Sequence, residues 1–183
     1  MEKPSSYCEH VASLQNDNIH RIYHDTQYGF PIDSDDELFC RLTLEINQAG
    51  LSWTTILNKQ DNFRKAYSNF NVEVVAKYED IDIKRLLSNP GIIRNRLKID
   101  ATINNAKRIV DLQNAFGSFK NWLDKNHPLT IEQWVKLFKI TFKFTGGEIT
   151  KEFLLSTGYL HGAHAEDCET YNTIIKKKPM WLK

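Results

Sequence analysis

The sequence predicts an all-α protein. Apolar residues recur at helical spacing along nearly the whole chain, and no segment shows the sustained alternation of apolar and polar residues that marks a half-buried strand. No internal repeat, low-complexity tract or Pro/Gly/Ser-rich linker interrupts the 183 residues. We therefore expect one helical domain over residues 1–183.

Eight segments carry the helical pattern. The first can be capped by Ser34 or Asp35 and stopped by Gly50. The longest runs over about 95–115, and Gly158 can stop the last. The apolar arc of the first helix consists of Leu38, Phe39, Leu42, Ile46 and Ala49. The remaining helices are expected over about 52–68, 72–77, 79–87, 119–123, 131–139 and 148–156.

Composition excludes several classes of protein. Hydrophobic residues make up 41% of the chain and charged residues 26%, which supports a packed core rather than a disordered polymer. Twenty-four Lys and Arg against 23 Asp and Glu give a net charge of +1, so no global basic field points to nucleic acid. No apolar run reaches the roughly 18–20 residues of a membrane helix, and the first residues lack the apolar core of a signal peptide. We expect a cytoplasmic protein without membrane contact.

The strongest local motif is a Pro-Gly turn between two amphipathic segments, at about 79–115. The turn is followed by a new helix start, whose N–H groups suit a phosphate, and by a run of basic residues. This pattern is typical of a helix-hairpin-helix motif, which holds the DNA backbone without reading bases. We expect that contact to involve Gly91, Ile93, Arg94, Arg96 and Lys98. An ordinary helix–turn–helix connection with a solvated basic edge is the alternative.

Cysteine and histidine residues pair up near the two ends of the chain. Cys8 and His24 lie in the N-terminal part, and His164 and Cys168 form a His-x-x-x-Cys pair whose spacing places both on one face of a helical turn. Two thiolates and two imidazoles make a closed tetrahedral set for structural Zn²⁺, joining about 8–24 to about 161–168. Unrelated packing of the four residues is the alternative. The histidines at positions 10, 20 and 161 are competing ligands, and the cysteine at position 40 falls in a core arc.

A carboxylate and several aromatic residues form a second candidate site. Glu45 lies at the margin of the apolar arc of the first helix, and Trp53 follows it after an Ala-Gly loop. A carboxylate at the edge of a core needs partners, and in a cleft it is a candidate functional residue. The alternative is a surface Glu on a helix flank. Tyr23 and Tyr28 flank His24 and serve either core packing or the stacking of a planar ligand.

Taken together, these motifs resemble the DNA-3-methyladenine glycosylase I family. The resembling stretches follow the family's order and cover roughly residues 8–168. They are Tyr-His-Asp at 23–25 with Tyr-Gly at 28–29, Glu-Ile-Asn-Gln-Ala-Gly-Leu-Ser-Trp at 45–53, Gly-Ile-Ile-Arg-Asn-Arg at 91–96 with Lys-Ile at 98–99, Phe-Lys-Phe-Thr-Gly at 142–146 and Ala-His-Ala-Glu-Asp-Cys at 163–168.

The resemblance implies a helical repair enzyme that flips N3-methyladenine out of double-stranded DNA and cuts its N-glycosidic bond. It implies one structural zinc held by Cys8, His24, His164 and Cys168, and we expect a monomer. Glu45 matches the pocket carboxylate that hydrogen-bonds the flipped base, and it is the predicted catalytic residue. Tyr23 and Trp53 match pocket aromatics, and Leu51 is expected to fill the gap that the base leaves.

The chain departs from the family pattern around the expected pocket. His10 replaces a Trp, His20 replaces a Tyr, and Gly147-Glu148 replaces small or hydroxyl residues. An imidazole is a poorer stacking surface for a flat cation, and a protonated one repels it. The chain is then either a glycosylase with a changed preference among alkylated bases or a DNA-binding relative without turnover. The Lys-Lys-Lys tail at 176–178 is expected to be a solvated end, with phosphate contact as the alternative.

Overall fold

The computed structural model describes residues 6–183, and these residues are nearly all helical. No strand occurs within this range, so the predicted all-α class is confirmed. Two 3₁₀ turns, Ser68–Phe70 and Met180–Leu182, accompany the α-helices. The helices are α1 (Tyr7–Ala12), α2 (Ile19–Thr26), α3 (Asp35–Gln48), α4 (Trp53–Leu57), α5 (Gln60–Ala66), α6 (Val72–Val75), α7 (Asp80–Ser88), α8 (Arg96–Phe116), α9 (Phe119–Asn126), α10 (Ile131–Thr141), α11 (Gly147–Ser156) and α12 (Glu169–Lys176).

The chain divides into two compact units. One holds the described residues up to Ile32 together with Leu154–Lys183, and the other holds Asp33–Phe153. The expectation of a single domain over 1–183 stays a prediction. No helix in residues 6–183 has the length and apolar character needed to cross a membrane.

Helix α3 forms the centre of the Asp33–Phe153 unit. The Ser34 side chain accepts a hydrogen bond from the Glu37 N–H, as the predicted cap requires. All ten residues from Leu38 to Asn47 are buried. Because this stretch includes Arg41 and Glu45, two ionisable side chains lie inside the protein rather than on its surface.

The helix predicted over 52–68 is wrong, because the structure has two shorter helices there. Helix α4 ends after one and a half turns, and α5 starts after Lys59. The Lys59 ammonium donates to the carbonyl oxygens of Pro90 at 3.1 Å and Gly91 at 3.3 Å. The break thus places a lysine against the loop between α7 and α8.

Helices α7 and α8 border the predicted hairpin, and local caps set their ends. Asn95 accepts from the Lys98 N–H at 3.2 Å and starts α8. Gly117, with φ +85°, ends it in the left-handed conformation that glycine adopts without strain. The observed bounds differ from the predicted 79–87 and 95–115 by one residue at each end.

In the other unit, one glycine allows a close approach of two segments. Gly29 has φ +79°, and a Cβ at this position would lie 2.9 Å from the Cβ of Ala163. Its N–H donates to the Ser156 carbonyl at 3.0 Å. The sequence pattern missed α1, α2 and α12 of this unit, which are eight residues long or shorter.

Candidate functional site

Four side chains converge in the unit formed by the two ends of the chain. The ligand atoms of Cys8, His24, His164 and Cys168 all lie within 4.8 Å of one another. The Cys8 sulfur is 3.3 Å from Nε2 of His24 and 3.8 Å from Nδ1 of His164. The Cys168 sulfur lies 3.8 Å and 3.7 Å from the same two nitrogens. This Cys₂His₂ cluster could hold a metal ion.

Neighbouring groups orient both imidazoles toward the centre of the cluster. Nδ1 of His24 lies 2.7 Å from the Asp25 carboxylate, and Nε2 of His164 lies 2.8 Å from the Tyr28 carbonyl oxygen. Each outer nitrogen therefore carries the proton, which leaves the inner nitrogen with a lone pair for a metal. Burial lowers the pKa of His164 to about 4, so its ring is neutral near pH 7.

The backbone also contacts the Cys8 sulfur. The Ala165 N–H donates to the Cys8 sulfur at 3.4 Å, and Cys168 is the N-cap residue of α12. Burial raises the pKa of the Cys8 thiol, and the hydrogen bond from Ala165 opposes this shift. Cys40 is fully buried in α3, and burial raises its pKa to about 12, which agrees with the predicted core role.

The competing histidines have other partners. The His161 ring lies edge-on to Trp181 at 4.6 Å, and its Nε2 is 3.5 Å from the Tyr171 hydroxyl. The rings of His10 and His20 pack edge to face with centroids 5.5 Å apart. In the described residues, none of the three joins the Cys₂His₂ cluster.

His10 and His20 belong to a small aromatic group with Tyr7. The Tyr7 hydroxyl lies 3.0 Å from Nδ1 of His20 and donates to the His20 carbonyl at 3.2 Å. Burial lowers the pKa of His20, and the nearby His10 lowers it further. Tyr23 lies in the same unit, buried, with its ring centroid 5.8 Å from that of Tyr28.

Glu45 is buried in the Asp33–Phe153 unit, with 5% of its surface exposed. Burial raises its pKa from 4.5 to about 8, and Glu152 raises it further while Arg41 opposes the shift. The surface position considered as the alternative does not occur. A buried carboxyl that is mostly protonated near pH 7 is the kind of perturbed group that binding and catalytic sites contain.

A tight loop follows α3 and precedes Trp53. Gly50 has φ +81°, and the Leu51 N–H donates to the Gln48 carbonyl at 2.7 Å. Leu51 is 38% exposed. Ser52 caps α4 through the Thr55 N–H at 3.2 Å, and half-buried Trp53 is the first residue of that helix.

The structure does not support the predicted contact of Lys98 with the DNA backbone. Its side chain is 5% exposed, and its ammonium donates to the carbonyl oxygens of Asn47 at 2.9 Å and Ala49 at 2.7 Å. It therefore caps the C-terminal end of α3, where a cation complements the helix dipole. A DNA phosphate cannot reach an ammonium that is buried and committed in this way, so Lys98 is withdrawn from the DNA-contact set.

The other predicted hairpin residues lie in the loop between α7 and α8 or just after it. The Gly91 N–H donates to the Asn89 side chain at 2.8 Å, and a Cβ on Gly91 would lie 3.2 Å from Asn62. Glycine is needed here for close packing rather than for a left-handed backbone. Arg94 and Arg96 are exposed, and Arg96 pairs with Asp100 at 2.9 Å.

Three residues help to build these sites in roles that the sequence interpretation did not assign to them. Asp25 and Tyr28 orient the two metal-facing imidazoles, and Lys59 supports the hairpin carbonyls. Asp25 directly follows a predicted ligand, and a carboxylate partner is the usual companion of a metal-bound histidine. Glu148 is exposed in the first turn of α11. The lysines at 176–178 are exposed as predicted.

Comparison with known proteins identifies the family. The family model described as methyladenine glycosylase matches residues 13–136. DNA-3-methyladenine glycosylase 1 of Escherichia coli K12 is 31% identical over 182 residues, which span 89% of this chain and 97% of that protein. DNA-3-methyladenine glycosylase of Haemophilus influenzae is 30% identical over 145 residues, or 78% of either chain. The solved 3-methyladenine DNA glycosylase I of Staphylococcus aureus is 32% identical with a TM-score of 0.77, covering 86% of this chain and 93% of that one. The chain thus belongs to the methyladenine glycosylase family.

Proposed function

We propose that this protein is a DNA glycosylase that removes N3-methyladenine from double-stranded DNA. The observation that carries the proposal is Glu45, a fully buried carboxyl with a pKa raised to about 8, in a chain of the methyladenine glycosylase family. The reaction breaks the bond between the sugar C1′ and the base. The bonding electron pair leaves with the base and neutralises its positive charge, while water adds to the sugar C1′ and loses a proton to solvent, so that an abasic site remains.

Glu45 binds the flipped base in this proposal. Methylation at N3 makes the adenine cationic, and a cation beside a buried carboxyl favours the carboxylate over the acid. Base capture would therefore release the Glu45 proton and create a charge-assisted hydrogen bond to the base. Because the cationic base is already a good leaving group, positioning and electrostatic stabilisation are enough for the chemistry.

Trp53 and Leu51, which lie in the same unit as Glu45, complete the proposed base site. The face of Trp53 would attract the cationic base by cation–π contact, and the role of Tyr23 as a pocket aromatic stays a prediction. Leu51, exposed at the tip of its loop, would occupy the gap in the base stack after flipping. The unstacking costs a few kcal/mol and is cheaper at a damaged base pair, which favours the lesion over normal bases.

The metal is proposed to be a structural zinc. Sulfur and nitrogen ligands of a tetrahedral zinc ion lie about 3.6 Å apart at typical bond lengths. The four sulfur–nitrogen distances in the cluster are 3.3, 3.7, 3.8 and 3.8 Å. Four protein ligands leave no open coordination position, so the ion would join the segments that carry Cys8, His24, His164 and Cys168 rather than act on substrate.

The DNA backbone is proposed to contact the loop between α7 and α8. Exposed Arg94 and Arg96 supply charge at the start of α8, where the helix dipole also favours a phosphate. Gly91 and Ile93 would provide backbone for the same contact. With a net charge of only +1, we expect few phosphate contacts and a weak salt dependence. We also propose that the protein acts as a monomer in the cytoplasm.

His10 and His20 favour a second candidate, a glycosylase with a changed preference among alkylated bases. Their rings pack on each other and on Tyr7. The sequence resemblance implies that they replace a Trp and a Tyr of the family. A non-catalytic DNA-binding relative is the third candidate, and it predicts DNA affinity that does not depend on a lesion.

Release of free base from methylated duplex DNA separates these candidates. The metal-loaded protein should release N3-methyladenine, and the Glu45→Gln variant should release it much more slowly. Preferential release of another methylated base would support the changed preference. No release above the Glu45→Gln level, from folded protein that still binds duplex DNA, would refute the enzymatic proposal.

A further inference from the structure

Phe144 has an unusual conformation for an aromatic residue. It lies in the loop between α10 and α11 with φ +62°, in the left-handed region that bulky side chains avoid. Its ring is nevertheless 42% exposed, so core packing does not explain the conformation. Strained residues persist only where the surrounding structure enforces them, and such residues concentrate at functional sites.

Buried polar side chains enforce the conformation of this loop. Asn105 of α8 accepts from the Lys143 N–H at 2.7 Å and donates to the Lys143 carbonyl at 3.1 Å. The Thr145 hydroxyl, also buried, lies 3.0 Å from the Phe138 carbonyl oxygen. The residues on both sides of Phe144 are therefore fixed, and its ring is held outward.

Lys98 connects Phe144 to the loop that carries Leu51. Its ammonium is 5.9 Å from the centroid of the Phe144 ring and 2.7 Å from the carbonyl oxygen of Ala49, two residues before Leu51. One buried ammonium thus contacts both the Phe144 ring and the backbone of the loop that carries Leu51. Exposed Lys143 adds a second positive charge, and no carboxylate occurs between Phe142 and Gly146.

We propose that Phe144 is a second apolar contact to the base stack of duplex DNA, beside the one made by Leu51. An aromatic ring stacks on any base, which suits a protein that binds around a lesion of arbitrary sequence. The exposed Lys143 beside Phe144, in a segment from Phe142 to Gly146 that has no carboxylate, fits the polyanionic backbone next to the bases. The proposal rests on the duplex-DNA substrate proposed above and extends it to a loop to which no role has been assigned.

The test separates DNA binding from both stability and chemistry. The probe is a duplex with a tetrahydrofuran abasic analogue, which has no base to release, and binding is measured by fluorescence anisotropy. Phe144→Gly should weaken binding about tenfold, because it removes a stacking surface. Its melting temperature should stay within about 3 °C of the wild type or rise, because glycine adopts the left-handed conformation freely.

Two controls and a second variant sharpen the result. Ile140→Ala removes an apolar side chain that is 77% exposed on α10, and it should leave binding unchanged. Phe142→Ala removes a buried ring and should lower the melting temperature by roughly 10 °C. Phe144→Asn, which also tolerates the left-handed conformation, should reproduce the binding loss of Phe144→Gly.

The outcomes distinguish this inference from the proposed function. If Phe144→Gly binds the abasic duplex as tightly as Ile140→Ala does, or if it melts as early as Phe142→Ala, the inference is wrong. Failure of the wild-type protein to release N3-methyladenine while it still binds the duplex would refute the glycosylase proposal alone. If the wild-type protein binds neither the abasic duplex nor the methylated duplex, both the inference about Phe144 and the glycosylase proposal are wrong.

Discussion

Replacement of Glu45 by glutamine should change how the stability of the protein depends on pH. The side chain is buried, and burial raises its pKa from 4.5 to about 8. The folded protein therefore holds the Glu45 proton more tightly than the unfolded chain does. The stability that this proton provides is complete below about pH 4.5 and is lost as the pH rises through about 8. Glutamine has a similar shape and does not titrate.

The size of the effect follows from the two pKa values. Integrating the difference in bound protons between pH 5 and pH 8 gives about 3.5 kcal/mol, which the wild type loses and Glu45→Gln keeps. Any constant offset between an acid and an amide at this position cancels in the pH dependence. Titration of the histidines affects both proteins equally and cancels as well.

Urea unfolding of metal-loaded protein, followed by the fluorescence of the four tryptophans, measures this difference. The free energy of unfolding of Glu45→Gln minus that of the wild type should become more positive at each step from pH 5 to pH 8. Glu148→Gln is the matched control, because Glu148 is exposed and its replacement should leave the difference flat. If the difference in free energy of unfolding between Glu45→Gln and the wild type varies by less than about 1 kcal/mol from pH 5 to pH 8, Glu45 is not a buried carboxyl with a raised pKa.

Four further outcomes are expected. Single-turnover base release, measured with protein below its Kd for the DNA, should rise with pH up to about 8, because the carboxylate binds the cationic base, and Glu45→Gln should lose this rise; a rate that falls with pH would contradict the proposed ionisation. Metal analysis should give about one zinc per chain, and Cys168→Ser should lower both zinc content and melting temperature while Cys40→Ala keeps its zinc; full stability without metal would exclude the structural role. Lys98→Met should cost about 2 kcal/mol of stability, because two carbonyl oxygens lose a charged donor, and an unchanged denaturation midpoint would contradict that contact. Arg94→Ala should weaken duplex binding and reduce the slope of log K against log salt by about 1, and an unchanged slope would remove this residue from the DNA contact.

The parts of the fold that the sequence predicted are those set by local chemistry. Ser34 and Asn95 cap α3 and α8, and Gly117 ends α8, so these boundaries agree with the structure to within a residue or two. The break between α4 and α5 has no such signal. It depends on Lys59 reaching the carbonyl oxygens of the α7–α8 loop, which is more than thirty residues away in sequence.

Candidate site residues were predictable where residue type limits the alternatives. Cysteine and histidine pairs near the two ends of the chain suggested a metal site, and the family resemblance singled out the four residues that the structure brings together. The sequence does not show whether Glu45 is buried, because the residue lies at the margin of an apolar arc. Its burial is a property of tertiary packing, which makes all of α3 from Leu38 to Asn47 inaccessible.

Lys98 was misinterpreted because it follows two arginines in a basic run. Its helical phase gives a better prediction, because Lys98, Thr102, Asn105 and Ile109 lie on one stripe of α8 and all are buried. A basic residue in phase with a buried stripe needs acceptors inside the protein, and the nearest are the free carbonyl oxygens at the end of α3. The neighbouring Leu97, out of phase, is 68% exposed.

The polar members of this stripe serve a purpose that apolar residues could not. Lys98 fixes the loop that carries Leu51, and Asn105 fixes the loop that carries Phe144. Both loops expose apolar side chains to solvent and must keep one shape, because a mobile loop would pay the entropy of ordering each time it met a ligand. The buried hydrogen bonds from Lys98 and Asn105 hold the backbone of these loops, and they do not depend on the side chains of Leu51 and Phe144. Substitutions at Leu51 or Phe144 should therefore change binding while leaving the stability of the fold nearly unchanged, whereas substitutions at Lys98 or Asn105 should change both.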